Sequence, residues 1–303
     1  MTTAQISSEN AVPGLDPTAA ERWAQFSPST SPWLHEEIAR RMVDRLQWFK
    51  ALPTSWLHWE PVRGGLEAHQ RLREVLPVAE CLIHAQDAAL AQRATREPAQ
   101  RSWNPARWRR ASQPAAAEPD RQVAMVWANM ALHHVAQPMG LLKQWHQSVD
   151  THGFLMFSCL GPDSLRELRD VFAAEGWPAP SHSFTDMHDW GDMLVACGFA
   201  EPVMDMERIT LSYSTPMAML DELRGLGRNL NVSRFQGLRS RAWRDALCAA
   251  IEQRGARGED GRLILTFEVV YGHAYKPVPR VPLGPNQTVS MDDMRAMLQA
   301  GRR

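Results

Sequence analysis

Hydrophobic residues recur along this 303-residue chain with two different spacings. Short apolar runs bounded by turn-forming residues predict buried strands, and apolar residues three or four positions apart predict amphipathic helices. The predicted strands are 54–59, 79–84, 122–128, 153–160, 203–213 and 262–274. The predicted helices are 32–50, 64–76, 137–149, 163–175, 185–197, 216–227 and 240–254. This alternation indicates an α/β fold with a largely parallel sheet covered on both faces, and the last two strands predict an antiparallel edge.

The same pattern divides the chain into three regions. Residues 1–30, rich in Ser, Thr, Pro and Ala, are predicted to form a flexible segment in which Trp23 and Phe26 can dock a short helix. Residues 31–280 form the predicted α/β domain. Within it, 95–120 is an irregular Arg/Pro/Ala insertion where another strand and helix would be expected, and 214–258 is a helical lid. Residues 281–303 form a C-terminal tail.

Composition and charge argue against several classes of protein. The 33 basic and 34 acidic residues give a net charge of -1, so no overall field favours nucleic acid. Apolar stretches fall short of the ~20 residues that span a bilayer, and the N-terminus lacks the pattern of a secretory signal. Four widely spaced cysteines predict neither a disulfide framework nor a zinc site. We therefore expect a soluble, cytoplasmic protein without a metal or a membrane partner.

Candidate ligand-binding residues follow the first three predicted strands, because ligands of such sheets bind at the carboxyl ends of the strands. The turn after the first strand contains Gly64 and Gly65, which let a backbone approach a cofactor closely, or which simply join a strand to a helix. Asp87 follows the second strand and can bind a ribose or cap the next helix; we favour the cap. Asn129 follows the third, where its amide can orient a ligand.

Three other polar clusters have an ordinary explanation as well as a functional one. His133 and His134 can act as acid or base, but adjacent histidines cannot both face one site, and one is more often a surface or core residue. Arginines at 93–110 and 224–244 can bind an acidic partner or form solvated faces. The first group, interleaved with tryptophans, also suits single-stranded nucleic acid, although its Pro/Ala setting fits a linker better. The aspartates of 186–192 resemble a metal trio but fit a helix start better.

Several segments between Val123 and Lys276 resemble one known family. They are VWANMALHHV, GFLMFSCLGPDSLRELR, SFTDMHDWGDMLVACGFAEPVMDMERITLSY, ELRGLGRN and LTFEVVYGHAYKP. In order and spacing they resemble the proteobacterial biotin-pathway methyltransferases. That family transfers a methyl group from S-adenosylmethionine to the free carboxylate of malonyl-acyl carrier protein. The segment EEIARRMVDRL is also similar to the helix before the family's first strand.

The resemblance implies a Rossmann-like class I methyltransferase sheet of seven strands, mostly parallel with an antiparallel edge strand, under a helical cap. It implies S-adenosylmethionine as cofactor and malonyl-carrying acyl carrier protein as partner, without a metal. Trp127 and Asn129 match the motif that borders the methionine end of the cofactor. Arg224 and Arg228 lie in a lid segment that is basic in relatives, and are candidates to bind the malonyl carboxylate or the carrier's acidic surface.

The chain departs from the family at the cofactor turn. The family's DxGxGxG motif corresponds to residues 58–64, with histidine in place of aspartate and two glycines replaced. The ribose-binding acid falls near Ala85, with Asp87 as a displaced substitute, and the adenine-contacting acid falls in the 95–120 insertion.

Glu60, together with Gly64 and Gly65, can rebuild a cofactor site in an unusual way. Two functions therefore stay open. The chain is either an S-adenosylmethionine-dependent methyltransferase of the biotin-biosynthesis type or a catalytically degenerate member that acts as a binding or scaffolding module.

Overall fold

A mixed sheet of seven strands forms the centre of the molecule in the computed structural model, which describes residues 12, 14–26, 28–96, 115–117 and 121–279. The strand order is β3-β2-β1-β4-β5-β7-β6. β7 lies between β5 and β6, and within the described sheet it is the only strand that runs antiparallel to its neighbours. The strands are β1 (Ser55–Trp59), β2 (Glu80–His84), β3 (Ala115–Ala116), β4 (Val123–Ala128), β5 (Val149–Leu160), β6 (Ala200–Tyr213) and β7 (Leu263–Tyr275). This is the class I methyltransferase sheet that the resemblance implies, with the antiparallel pairing at the predicted edge.

Helices cover both faces of the sheet, and several begin at side chains that satisfy free backbone N–H groups. Asp16, Asp87, Asp186, Thr215 and Ser240 each accept such a hydrogen bond, which is the usual means of fixing a helix start. The helices are α1 (Pro17–Ala24), α2 (Trp33–Arg45), α3 (Pro61–Gly64), α4 (Leu66–Val75), α5 (Ala88–Thr95), α6 (Pro138–Ser148), α7 (Arg166–Ala174), α8 (Met187–Ala196), α9 (Pro216–Leu226) and α10 (Arg241–Arg254).

Alternation along β4 explains how one apolar run supplies two cores. Met125 and Trp127 belong to the core shared with α2 and α4, whereas Val126 and Ala128 belong to the core shared with α6 and α8. Successive side chains of a strand point to opposite faces, so a strand buried on both faces is apolar throughout. The sheet is therefore fixed between two helical layers, and its carboxyl edge is left for ligands.

The N-terminal segment is packed rather than flexible from Gly14 to Phe26. Helix α1 buries Trp23 in a small core with Leu230, and Arg234 donates to the Asp16 carboxylate at 2.6 Å. The prediction of a flexible segment is wrong for these residues, because their few apolar side chains dock on the chain that follows α9. The short helix that was expected to dock through Trp23 and Phe26 is present as α1.

Part of the predicted insertion joins the sheet. Ala115 and Ala116 form β3, which pairs with Leu82 and Ile83 of β2, so this part of 95–120 is a short strand rather than irregular. Helix α5 extends to Thr95 at the other end of the insertion. Residues 97–114 and 118–120, with most of the first arginine group, lie outside the described residues, as does the predicted tail 281–303.

Candidate functional site

The strand order reverses between β1 and β4, and open α/β sheets bind ligands in the crevice at such a point. Asn129 lies there, 1% exposed. Its Nδ2 donates to the backbone oxygens of Gly64 and of His35, the latter at 2.9 Å. Its Oδ1 accepts from Ser158 Oγ at 2.6 Å. Both amide hydrogens and the amide oxygen are thus engaged, so Asn129 ties β4 to the β1 turn, to α2 and to β5.

The turn after β1 keeps a left-handed bend without the glycine that usually provides it. Glu60 has φ 51° and ψ 60°, a conformation that few non-glycine residues adopt. Its N–H donates to His84 O at 2.7 Å, and its Oε1 accepts from Gln86 N–H at 2.7 Å. Burial raises the pKa of the Glu60 carboxyl. Glu60 therefore ties the end of β1 to the end of β2.

The other side chains of this turn fill the space outside the strands. Val62 is buried against Ile83 and α5. The Arg63 guanidinium donates to the backbone oxygens of Phe26 and of Trp23, the latter at 3.1 Å. The Arg63 Cζ atom also lies 4.7 Å from the centroid of the Trp23 ring. Arg63 therefore holds α1 against the turn.

The two glycines of the turn serve packing within the protein. A Cβ atom at Gly64 would lie 3.3 Å from Asn129 O, and one at Gly65 would lie 3.0 Å from Glu36 Oε2. Gly65 also has φ 132°, where a side chain is strained. The Glu36 carboxylate accepts from the first N–H groups of α4, at 2.7 Å from Leu66 N. Gly65 thus makes room for an acidic cap from α2.

The end of β2 offers no free carboxylate among the described residues. Asp87 accepts from Leu90 N–H at 2.8 Å and caps α5, as we favoured. The ring of His84 stacks on that of Trp59 with 3.6 Å between centroids. The ends of β1 and β2 are therefore joined by this stack and by Glu60.

Two residues that correspond to family motifs lie in the core. Trp127 is fully buried in the core shared with α2 and α4, and its assignment to cofactor binding stays a prediction. His58, at the position of the family's aspartate, is fully buried with its Nδ1 3.0 Å from His69 Nδ1. Burial keeps the pKa of His58 well below its usual value, so this imidazole is neutral.

A cavity of about 260 Å³ lies between the carboxyl edge of the sheet and residues 220–229, which belong to the segment predicted as a helical lid and called the lid below. Its walls combine apolar side chains with polar groups from α2, from the chain after β4, from the loop before α8 and from the lid. The polar residues are His35, His133, His134, Ser181, His182, Arg224, Arg228 and Asn229. The two arginines proposed from the sequence therefore share one cavity with four histidines.

Hydrogen bonds fix the tautomers of three of the four cavity histidines. His35 Nδ1 donates to Arg63 O at 2.8 Å, which leaves its Nε2 as an acceptor. His133 Nδ1 accepts from Leu160 N–H at 3.3 Å, which leaves its Nε2–H as a donor. His182 Nε2 donates to His133 O at 2.8 Å. Burial lowers the pKa of His35 to about 4 and the pKa values of the other two as well, so all three are neutral near pH 7.

The lid supplies the positive charge of the cavity. The Arg224 side chain is largely exposed, and its nearest acidic partner, Asp221, lies 3.7 Å away in an ion pair that contributes little. Arg228 donates to Gly227 O at 2.7 Å, and its Cζ atom lies 5.4 Å from the Trp23 ring centroid. The cavity thus combines guanidinium groups with neutral hydrogen-bonding groups, which suits an acyl group that ends in a carboxylate.

Sequence reasoning missed His35, Arg63 and His182 as parts of the site. His35 lies between Leu34 and Ile38 on the apolar side of a predicted helix, and a histidine in that position could have been predicted as a buried polar group.

The described residues contain no group of three or more potential metal ligands. They also contain no helix long and apolar enough to cross a membrane.

In the described conformation, side chains fill the crevice, so a cofactor such as S-adenosylmethionine fits only after they move. Val62 and Arg63 occupy the turn, Asn129 donates to Gly64 O within it, and the carboxylates of Glu60 and Asp87 accept backbone hydrogen bonds. The cavity is also smaller than the roughly 300–1,000 Å³ of pockets for drug-sized ligands, so it matches an acyl group rather than a nucleoside cofactor.

The chain is similar to named proteins over most of its length. It is 36% identical over 255 residues to a malonyl-[acyl-carrier protein] O-methyltransferase of Gallionella capsiferriformans, covering 82% of this chain and 86% of that protein. It is 33% identical over 253 residues to one of Halorhodospira halophila, covering 80% and 81%. A third, from Laribacter hongkongensis, is 44% identical over 158 residues, about half of each chain.

Solved structures support the fold. The YcgJ protein of Bacillus subtilis matches with a TM-score of 0.50 at 11% identity, covering 80% of this chain and 99% of that one. No family model matches the chain. On the strength of the relatives that match along most of its length, the chain belongs to the malonyl-[acyl-carrier protein] O-methyltransferase family.

Proposed function

We propose that this chain methylates the free carboxylate of a malonyl group carried by acyl carrier protein, with S-adenosylmethionine as the methyl donor. The acceptor is the one for which its relatives are named, and the donor follows from the resemblance to class I methyltransferases. The observation that carries the proposal is the cavity at the carboxyl edge of the sheet, which combines guanidinium groups with neutral histidines.

The residues of the cavity can position a malonyl thioester without acting as strong bases. Arg224 and Arg228 offer planar donors to the carboxylate. The His133 Nε2–H is available to an uncharged carbonyl oxygen. Because a malonyl carboxylate is already ionised near pH 7, its methylation depends on positioning more than on a general base. Neutral histidines therefore suit this role.

The methyl donor requires a rearrangement of the crevice. Arg63 has to release the backbone oxygens of Trp23 and Phe26 before a large ligand can lie outside the carboxyl ends of β1 and β4. The other function left open by the sequence, a binding module without methyl transfer, is not favoured by the comparisons, because the relatives are named for methyl transfer.

The test is methyl transfer from S-adenosylmethionine labelled in the methyl group, with malonyl-carrier and acetyl-carrier as matched acceptors. Since the acetyl group has no free carboxylate, we expect label on the malonyl-carrier alone, in an ester that alkali removes. Label on neither carrier, while the malonyl-carrier still binds the protein, would favour the binding module.

A further inference from the structure

The chain between α9 and α10, residues 227–240, exposes a group of large apolar side chains. We call this segment the lid loop. Leu238 is 100% exposed, Val232 53% and Phe235 51%. Single exposed apolar residues are ordinary, but several within one short segment are typical of an interaction surface.

The lid loop and the residues that flank it are strongly basic. Between Leu223 and Arg244 the chain contains six arginines and no acidic residue. The Arg239 Cζ atom lies 3.9 Å from the ring centroid of Phe235 and 4.2 Å from that of Trp243, so two aromatic rings hold its guanidinium in place. Within the described part of the chain, no acidic side chain forms an ion pair with Arg239 or Arg241. The surface therefore suits an acidic partner that also contributes an apolar contact.

Hydrogen bonds to the rest of the protein hold residues 229–232 of the lid loop in place. Asn229 Nδ2 donates to Ala179 O at 2.7 Å, and Asn231 Nδ2 donates to Ser181 O at 3.0 Å. Val232 N–H donates to Gly14 O at 3.0 Å. A surface that is already ordered loses less conformational entropy when a partner binds.

We propose that the lid loop is the docking surface for acyl carrier protein. Acidic side chains of the carrier contact Arg239 and the adjacent Arg241 at the start of α10, and an apolar side chain of the carrier covers Leu238. This inference rests on the proposed function, because the partner is the one for which the relatives are named. The first residues of the lid loop, Gly227, Arg228 and Asn229, line the cavity, so a carrier docked on the loop has its acyl group close to the site.

The test compares binding of malonyl-carrier to the full chain by calorimetry. The lid variants are Leu238→Glu and Arg239→Glu. Their matched controls are Val78→Glu, at an apolar position that is 92% exposed, and Arg71→Glu, at another exposed arginine. We expect each lid variant to weaken binding about tenfold, and each control to change it less than about twofold. Added salt should weaken the wild-type complex.

A carrier-free acceptor separates this inference from the proposed function. We expect the lid variants to methylate malonyl-coenzyme A as fast as the wild type does. Weaker carrier binding in the lid variants supports the docking surface even if no variant transfers a methyl group, a result that would defeat the proposed function alone. Equal carrier binding by lid and control variants would overturn the docking surface. So would lid-dependent binding to anionic phosphatidylglycerol vesicles without binding to the carrier.

Discussion

Replacing Asn129 tests whether this amide is a structural clamp. Asn129→Ala removes the two hydrogen bonds donated to His35 O and Gly64 O and the one accepted from Ser158 Oγ. A hydrogen bond contributes about 0.5–1.5 kcal/mol net, and a buried partner left unsatisfied costs about 1–3 kcal/mol. Because the site is buried, we expect the free energy of unfolding to fall by roughly 2–4 kcal/mol.

The assay is urea unfolding of the wild type, Asn129→Ala and the isosteric Asn129→Asp. The aspartate keeps the shape of the side chain and the acceptor for Ser158, but it turns an oxygen toward the two backbone oxygens. Asn129→Asp should therefore be at least as destabilised as Asn129→Ala. A free energy of unfolding within about 0.5 kcal/mol of the wild type in both variants would refute the reasoning.

Three further changes have directions set by the structure. Gly272→Ala should lower the free energy of unfolding by about 1–3 kcal/mol, because its Cβ would lie 2.5 Å from Phe157 Cζ. Gly140→Ala should raise the free energy of unfolding by about 0.5–1 kcal/mol, because outside its own helix no atom lies within 4 Å of the new Cβ. Urea unfolding measures both, and equal effects would contradict the clash. Burial lowers the pKa of His35 to about 4 in the folded state. Neutral His35 therefore contributes roughly 3 kcal/mol to the free energy of unfolding above pH 6.5, and this contribution is lost as the pH falls toward 4. The free energy of unfolding should depend less on pH in His35→Gln, and an unchanged dependence would contradict this pKa shift. Arg63→Ala should free α1, so that a protease cleaves residues 14–26 about tenfold faster; unchanged cleavage would show that Arg63 does not hold this helix.

Sequence patterns located the long elements well, because their signal is local. The strand predicted over 122–128 is Val123–Ala128, and the one predicted over 262–274 is Leu263–Tyr275. β3 could not be found in this way, since two alanines carry no hydrophobic pattern and the strand exists only through its pairing with β2. The helix predicted over 64–76 begins at Leu66 as α4, because Gly65, with a φ of 132°, separates it from the short helix α3.

The site was harder to predict because its contacts join distant parts of the chain. The position of Asn129 directly after β4 identified it as a candidate. The hydrogen bonds of Asn129 to residues 94 and 65 positions away could not be predicted from the local sequence. The link from Arg63 to α1 likewise joins the β1 turn to a segment expected to be flexible. Arg224 and Arg228 were proposed from the resemblance, and the histidines that share their cavity come together only in the fold.

Calorimetric titration of the full chain with S-adenosylhomocysteine measures whether the altered turn still accepts the cofactor. We expect saturable binding in the micromolar range for the wild type and tighter binding for Arg63→Ala, in which the guanidinium no longer fills the crevice. Absence of binding to both proteins at millimolar ligand would contradict the methyltransferase function and leave the binding module.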